Sequence, residues 1–227
     1  MKWCLHVGLS RAYFCKSNWV LNLTGSAKML KNIKVILIGG SPMSGKTTLA
    51  IKLAAKYEYG CISTDDIGEI IGTVSEVNPM KDFDYREYYV SKSIEDLIND
   101  ISLYHQKLWP SIKHLIEIHC AWSTPIIIEG WALYPELLES IENDSVRTIW
   151  LVSDEDVLEQ RLINHKDFYR GSTDEKKMIT NYLHRSLWHN ETISKQANEL
   201  NHDFIRVTKD LPEDRLVEKA IEVLTKE

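Results

Sequence analysis

The chain has 227 residues, 44% of them hydrophobic and 26% charged, with a formal net charge of −6 at pH 7. That length suits one α/β domain with insertions, and the acidic balance argues against a nucleic-acid partner, which demands a basic surface. No apolar run approaches the roughly 18 residues a membrane span needs. Cys4, Cys15, Cys61 and Cys120 form neither a C-x-x-C pair nor a zinc-ligand spacing, which fits a reduced, cytoplasmic setting.

Residues 1 to 32 contain Lys2, Arg11, Lys16, Lys28 and Lys31 and no acid, so the net charge divides into +5 here and −11 on the rest. Residues 1 to 28 are also aromatic (Trp3, Tyr13, Phe14, Trp19) and lack helical or strand periodicity. They read as an N-terminal extension outside the core, either a targeting segment or a stretch upstream of a start at Met29. Residues 29 to 227 read as the folded domain.

Val35 to Ile38 is an apolar run of the length of a buried parallel strand, closed by Gly39-Gly40. Gly40, Ser41, Pro42, Met43, Ser44, Gly45, Lys46 and Thr47 fit G-x-x-x-x-G-K-[ST], the Walker A phosphate-loop pattern. From Thr48 to Lys56 the chain has helix formers with apolar residues at Leu49 and Leu53. A glycine turn between strand and helix lets backbone N–H groups form a nest for phosphate oxygens, and the helix aims its positive end at the same point. Lys46 then reaches the β- and γ-phosphates, and the Thr47 hydroxyl ligates Mg²⁺. The expected ligands are ATP and Mg²⁺.

Cys61 to Ser63 predicts a short second strand, leaving Asp65 and Asp66 at its end. Asp65 is the candidate to accept a proton from an attacking hydroxyl, and Asp66 the candidate helix cap. Residues 67 to 124 predict a helical substrate-binding insertion, with Val90 to Lys107 and Ser111 to Trp122 interrupted at Pro110. Five basic and nine acidic residues lie between positions 67 and 123. Phe83, Tyr85, Tyr88, Tyr89, Tyr104, Trp109 and Trp122 either stack on a base or sugar or form core. Ile126-Ile127-Ile128 predicts the next strand, and Glu129 at its end takes the place of a Walker B acid facing Mg²⁺. Tyr134 to Ile141 predicts a helix, Val146 to Val152 a strand, and Asp154 to Ile163 a helix capped by Asp154. Polar residues 164 to 177, with Gly171-Ser172, suggest a lid. A long helix from about Lys177 to Leu200, a strand at Phe204 to Val207 and a helix from Pro212 to Leu224 complete the chain. Arg161, Arg170 and Arg185 are the candidates to place positive charge on the γ-phosphate. The histidines show no ligand spacing.

Strands alternating with helices predict a three-layer α/β fold around a five-stranded parallel sheet. The motifs I-G-G-S-P-M-S-G-K-T-T, C-I-S-T-D-D-I and I-I-I-E-G-W-A-L resemble, in the same order, those of the nucleoside and nucleotide kinase-like group of P-loop kinases. Within that group the 2-phosphoglycerate kinase-like members are nearest. The resemblance implies transfer of the ATP γ-phosphate to a small-molecule acceptor, with Lys46, Thr47 and Thr48 on the nucleotide, and Asp65 and Glu129 facing the acceptor and metal. The alternative is a P-loop ATPase or nucleotide-dependent switch without an acceptor pocket. A polynucleotide kinase is disfavoured by the acidic body, because phosphate backbones need a basic track.

Overall fold

The computed structural model describes residues 32–75, 84–122 and 124–226. The proposed extension 1 to 28, Phe83 and the start at Met29 lie outside the described residues. Five parallel strands, β1 (Val35–Gly40), β2 (Gly60–Ser63), β3 (Ile126–Gly130), β4 (Val146–Ser153) and β5 (Phe204–Val207), form one sheet in the order β2-β3-β1-β4-β5. The apolar run of β1 makes it the fully buried central strand, as expected for a sheet covered on both faces.

Strand alternation divides the core in two. Val35, Leu37, Ile126, Ile128 and Trp150 face α4 (Ile94–Ala121) and α8 (Glu175–Glu199). Ile36, Ile38, Ile127, Ile149 and Leu151 face α1 (Lys46–Tyr57) and α9 (Glu213–Leu224). Gly39 lies beside Trp150 in register, and a Cβ on it would fall 2.1 Å from the buried indole ring, so glycine is required there by space. A third, smaller core joins α3 (Tyr85–Ser91), α6 (Glu155–Asn164), α7 (Lys166–Tyr169) and α8 through Tyr88, Tyr89, Leu162, Tyr169, Met178 and Tyr182.

Several sequence expectations change. The insertion is not interrupted at Pro110, because α4 runs through it for 28 residues. Gln106 and Pro110 both lie on the exposed side of α4, so the carbonyl that loses its partner stays within reach of water. On the opposite side Leu108, Ile112 and Ile116 pack without a break. The break falls earlier, at Lys92-Ser93, where the Ser93 hydroxyl accepts from Asp96 N and starts α4. The helix expected from Tyr134 is only the short α5 (Pro135–Leu138). Trp122 is 54% exposed rather than core. Asp66 does not cap α2 (Thr64–Gly72); Ser63 does, accepting from Asp65 N at 3.1 Å.

Candidate active site

The phosphate loop connects the buried end of β1 to α1. Gly40 (φ 141°), Met43 (φ 64°) and Gly45 (φ 98°) have positive φ, turning the chain back on itself. A Cβ at Gly40 would meet the Leu151 carbonyl oxygen at 2.4 Å, so that position also needs glycine for space. Met43 adopts the conformation without that freedom, and backbone strain of this kind collects at functional loops. Gly45 begins α1 with no side-chain cap, so the first N–H groups of the helix point into the loop without an intrahelical partner. Ser41 and Ser44 are fully buried. The Lys46 ammonium donates to the Ser41 carbonyl at 2.8 Å. Burial lowers the Lys46 pKa, against the opposing charges of Glu129 and Asp65. Pro42 lies within the turn, and Thr48 is an exposed residue of the first turn of α1.

Glu129 is the penultimate residue of β3, beside Ile38 and Ser63, and is 3% exposed. Its carboxylate accepts from the Thr47 hydroxyl at 2.9 Å. Burial raises its pKa, while Lys46 and Thr47 pull the other way. A buried carboxylate touching a hydroxyl at the mouth of the loop suits Mg²⁺, a hard cation that takes oxygen ligands and relieves buried negative charge.

Asp65 stands across the cleft, accessible to solvent yet closely surrounded. Burial raises its pKa, opposed by the Trp131 indole, Lys46 and Arg185. Trp131 Nε1 donates to Asp65 Oδ1 at 2.7 Å. Gly130 lets β3 approach the start of α2 closely, because a Cβ there would lie 1.8 Å from the Thr64 hydroxyl.

The three arginines occupy different places. Arg161, on α6, donates from Nη1 to the Met43 carbonyl at 2.7 Å and lies against the phosphate loop. Arg185 is 2% exposed on the cleft side of α8, with its guanidinium carbon 4.4 Å from the Trp131 ring, 4.6 Å from Tyr89 and 5.3 Å from Tyr182. No hydrogen bond or ion pair engages that guanidinium among the described residues, and its buried Nε has no partner. Like Asp65, it meets Trp131 rather than the phosphate loop. Arg170 follows α7 and is exposed, away from the loop contacts that Arg161 makes.

Sequence reasoning missed four residues. His189 (Nε2 to Trp131 O, 2.8 Å) and His105 (Nδ1 to the Tyr134 hydroxyl, 3.0 Å) are buried beside Trp131. Burial takes the His189 pKa down to about 3 and that of His105 well below its usual value. Asn190 accepts from Ser153 N at 2.9 Å and the Ser41 hydroxyl at 3.2 Å, and donates to Ser153 O at 2.9 Å. Trp131 is the fourth. A signal existed: Met178, Tyr182, Arg185, His189 and Ile193 form a 3-4-spaced stripe, and an arginine and a histidine on a core stripe mark a polar site.

No protein-family model matches this chain, and no curated protein matches it. Solved structures do. A gluconokinase from Sinorhizobium meliloti 1021 is 20% identical, over 86% of this chain and 93% of its own, with a TM-score of 0.50. The fold is a P-loop kinase fold. A sugar kinase from Janibacter sp. HTCC2649 is also 20% identical, covering 85% of this chain and 94% of its own with a TM-score of 0.50. Deoxyadenosine kinase from M. mycoides, with bound dATP, is 15% identical over 85% of this chain and its full length, again at 0.50. At these identities the likeness establishes the architecture, and function has to be argued from the site.

Proposed function

We propose that this protein is an ATP-dependent kinase that transfers the γ-phosphate to a hydroxyl of a small-molecule acceptor. The observation that carries the reading is a second polar site across the cleft from the phosphate loop. There Asp65 and the unpartnered, buried Arg185 both meet the Trp131 indole, with Tyr89 and Tyr182 also against the guanidinium. A P-loop ATPase or switch needs the loop but has no use for such a site. The P-loop kinase fold and the small-molecule kinases that share it support the same reading.

In this mechanism the loop N–H groups and Lys46 hold the triphosphate, and Arg161 adds charge beside the loop. Thr47 and Glu129 are the residues that would hold Mg²⁺, which would neutralise phosphate charge. Asp65 accepts the proton of the acceptor hydroxyl as its oxygen bonds to the γ-phosphorus. The bond from that phosphorus to the β,γ-bridging oxygen breaks, and ADP leaves. A carboxylate whose pKa is raised by its surroundings is a better base for this step than a free one. Arg185, a desolvated cation without a counter-ion, suits an anionic group on the acceptor. That agrees with the motif resemblance to 2-phosphoglycerate kinase-like proteins. Arg170 is assigned to the γ-phosphate from the lid.

The test is transfer from γ-labelled ATP to a panel of hydroxy acids, sugars and nucleosides, with Asp65→Asn as the control. The kinase reading expects one class to accept label, and Asp65→Asn to lose transfer while still binding Mg·AMP-PNP. ATP hydrolysis at a rate indifferent to every acceptor would favour the ATPase alternative.

A further inference from the structure

We infer that Trp131 is the positioning residue of the acceptor site, holding Asp65 at the edge of its indole and Arg185 against its face. The inference deepens the kinase reading and rests on Asp65 being the acceptor base. Trp131 is the first residue past β3, so its backbone is fixed by the central sheet. Its ring meets two opposite charges in two different ways. The indole N–H, the only polar group on the ring, donates to Asp65 Oδ1 at 2.7 Å. The π face lies 4.4 Å from the Arg185 guanidinium carbon. An aromatic ring is electropositive at its edge and electronegative on its face, so each charge meets the matching part of the ring.

The consequence is separation. A carboxylate and a buried guanidinium that meet the same ring would otherwise be free to form a direct bidentate pair, the strongest contact open to either. Among the described residues Asp65 and Arg185 form no ion pair with each other; each engages the indole instead. With the indole engaging both, the free carboxylate lone pairs remain available to a hydroxyl and the guanidinium N–H groups remain available to an anion.

The ring is itself held from behind. His189 Nε2 lies 2.8 Å from the Trp131 carbonyl. A carbonyl can only accept, so that nitrogen carries the proton and Nδ1 is bare. His105 meets the indole at right angles, with centroids 4.7 Å apart, and is fixed in turn by the Tyr134 hydroxyl. His189 Nδ1 and His105 Nε2 are buried without a partner.

The experiment uses the full chain labelled with ¹⁵N at the tryptophan indoles, with no ligand present, and assigns the Trp131 Nε1–H resonance by its loss in Trp131→Phe. The expected result is a downfield resonance that moves upfield in Asp65→Asn and broadens or shifts in His189→Leu. In His189→Gln, where an amide can again donate to the carbonyl, it stays near its original position. A Trp131 resonance that ignores Asp65→Asn overturns the inference. On the kinetic side, Trp131→Phe keeps the ring face but loses the N–H. It should lower kcat for transfer by on the order of 10²-fold, with KM for MgATP little changed. A proportionate loss in both, or no loss, overturns the positioning role. The two readings fail separately, because a responsive resonance in a protein that phosphorylates no acceptor overturns the kinase assignment and leaves the indole geometry standing.

Discussion

Replacing Asn190 by leucine tests whether α8 holds the phosphate loop in place. The Asn190 carboxamide is buried between the end of β4 and the loop, accepting from Ser153 N and the Ser41 hydroxyl and donating to Ser153 O. Leucine of similar size fills the space and leaves the main-chain N–H and C=O of Ser153 buried without partners. At about 1–3 kcal/mol for each unsatisfied group, the expected destabilisation is about 2–6 kcal/mol. Ser41 loses a partner too, and its carbonyl is the one that receives the Lys46 ammonium. Affinity for Mg·AMP-PNP should therefore fall on the order of tenfold, the equivalent of one hydrogen bond. Asn190→Asp separates the two roles, since it keeps the acceptor for Ser153 N and Ser41 and lacks the donor for Ser153 O. Denaturant titration gives the stability, and calorimetry of Mg·AMP-PNP binding gives the affinity. Asn190→Leu within 1 kcal/mol of wild type, with unchanged affinity, would refute the argument.

Gly39→Ala should cost about 3 kcal/mol or more in denaturant titration, because the new methyl overlaps the Trp150 ring; a neutral result would mean that the ring is free to move. Stability should fall with acid. His189 and His105 have depressed pKa values in the folded protein, so their contribution is complete above about pH 6.5 and declines below it, as the unfolded chain takes up protons the native state refuses. The slope approaches roughly 1.4 kcal/mol per pH unit for each histidine. It is clearest just below pH 6.5, because Asp65 and Glu129, raised by burial, work the other way at lower pH. Stability measured at pH 7, 6 and 5 that is flat or rising would contradict this. Arg170→Ala should lower kcat by on the order of 10²-fold, with a smaller effect on KM for ATP; no effect on either would remove Arg170 from the site and leave Arg161, beside the loop, as the candidate charge. Hydrogen exchange in 166–174 and 85–91 should slow together when Mg·AMP-PNP binds, and protection of one segment alone would show that they move separately.

What was legible in the sequence was local. The phosphate loop, the carboxylate near the end of β3 and the aspartate following β2 each sit where a strand gives way to a turn. Apolar runs and glycines mark such points in one dimension. The contacts around them are long-range. Asn190 lies 149 residues from Ser41, and Trp131 lies 66 from Asp65. No spacing rule joins either pair; only the sheet order and the crossing of α8 over β1 and β4 bring them together. Arg185 shows the difference clearly. Its type suggested a phosphate ligand, while its position on the core-facing stripe of α8, three residues from Tyr182 and four from His189, sets it among the Trp131, Tyr89 and Tyr182 rings. Pro110 misled for a related reason, because the penalty for proline inside a helix depends on which side of the helix it occupies.

The lid changes most between sequence and structure. A polar stretch with Gly171-Ser172 reads as a loop hinged on glycine, and Gly171 does have a positive φ of 87° with open space around it. Yet the segment is fastened to α3. The Tyr85 hydroxyl donates to Phe168 O at 2.6 Å, and Arg86 Nη2 donates to Asp167 O at 3.0 Å. The Glu87 carboxylate accepts from both Thr173 N at 2.8 Å and its hydroxyl at 2.6 Å. Four such bonds, each contributing about 0.5–1.5 kcal/mol net, oppose motion of the lid independent of α3 by about 2–6 kcal/mol, before any loss of packing in the third core. The lid segment and α3 are therefore tied together as one unit. The same α3 carries Tyr89, whose ring lies 4.6 Å from the Arg185 guanidinium carbon. Any displacement of this segment with α3 would thus alter what covers Arg185, so in the proposed kinase, closure over the nucleotide would be coupled to the acceptor site through α3.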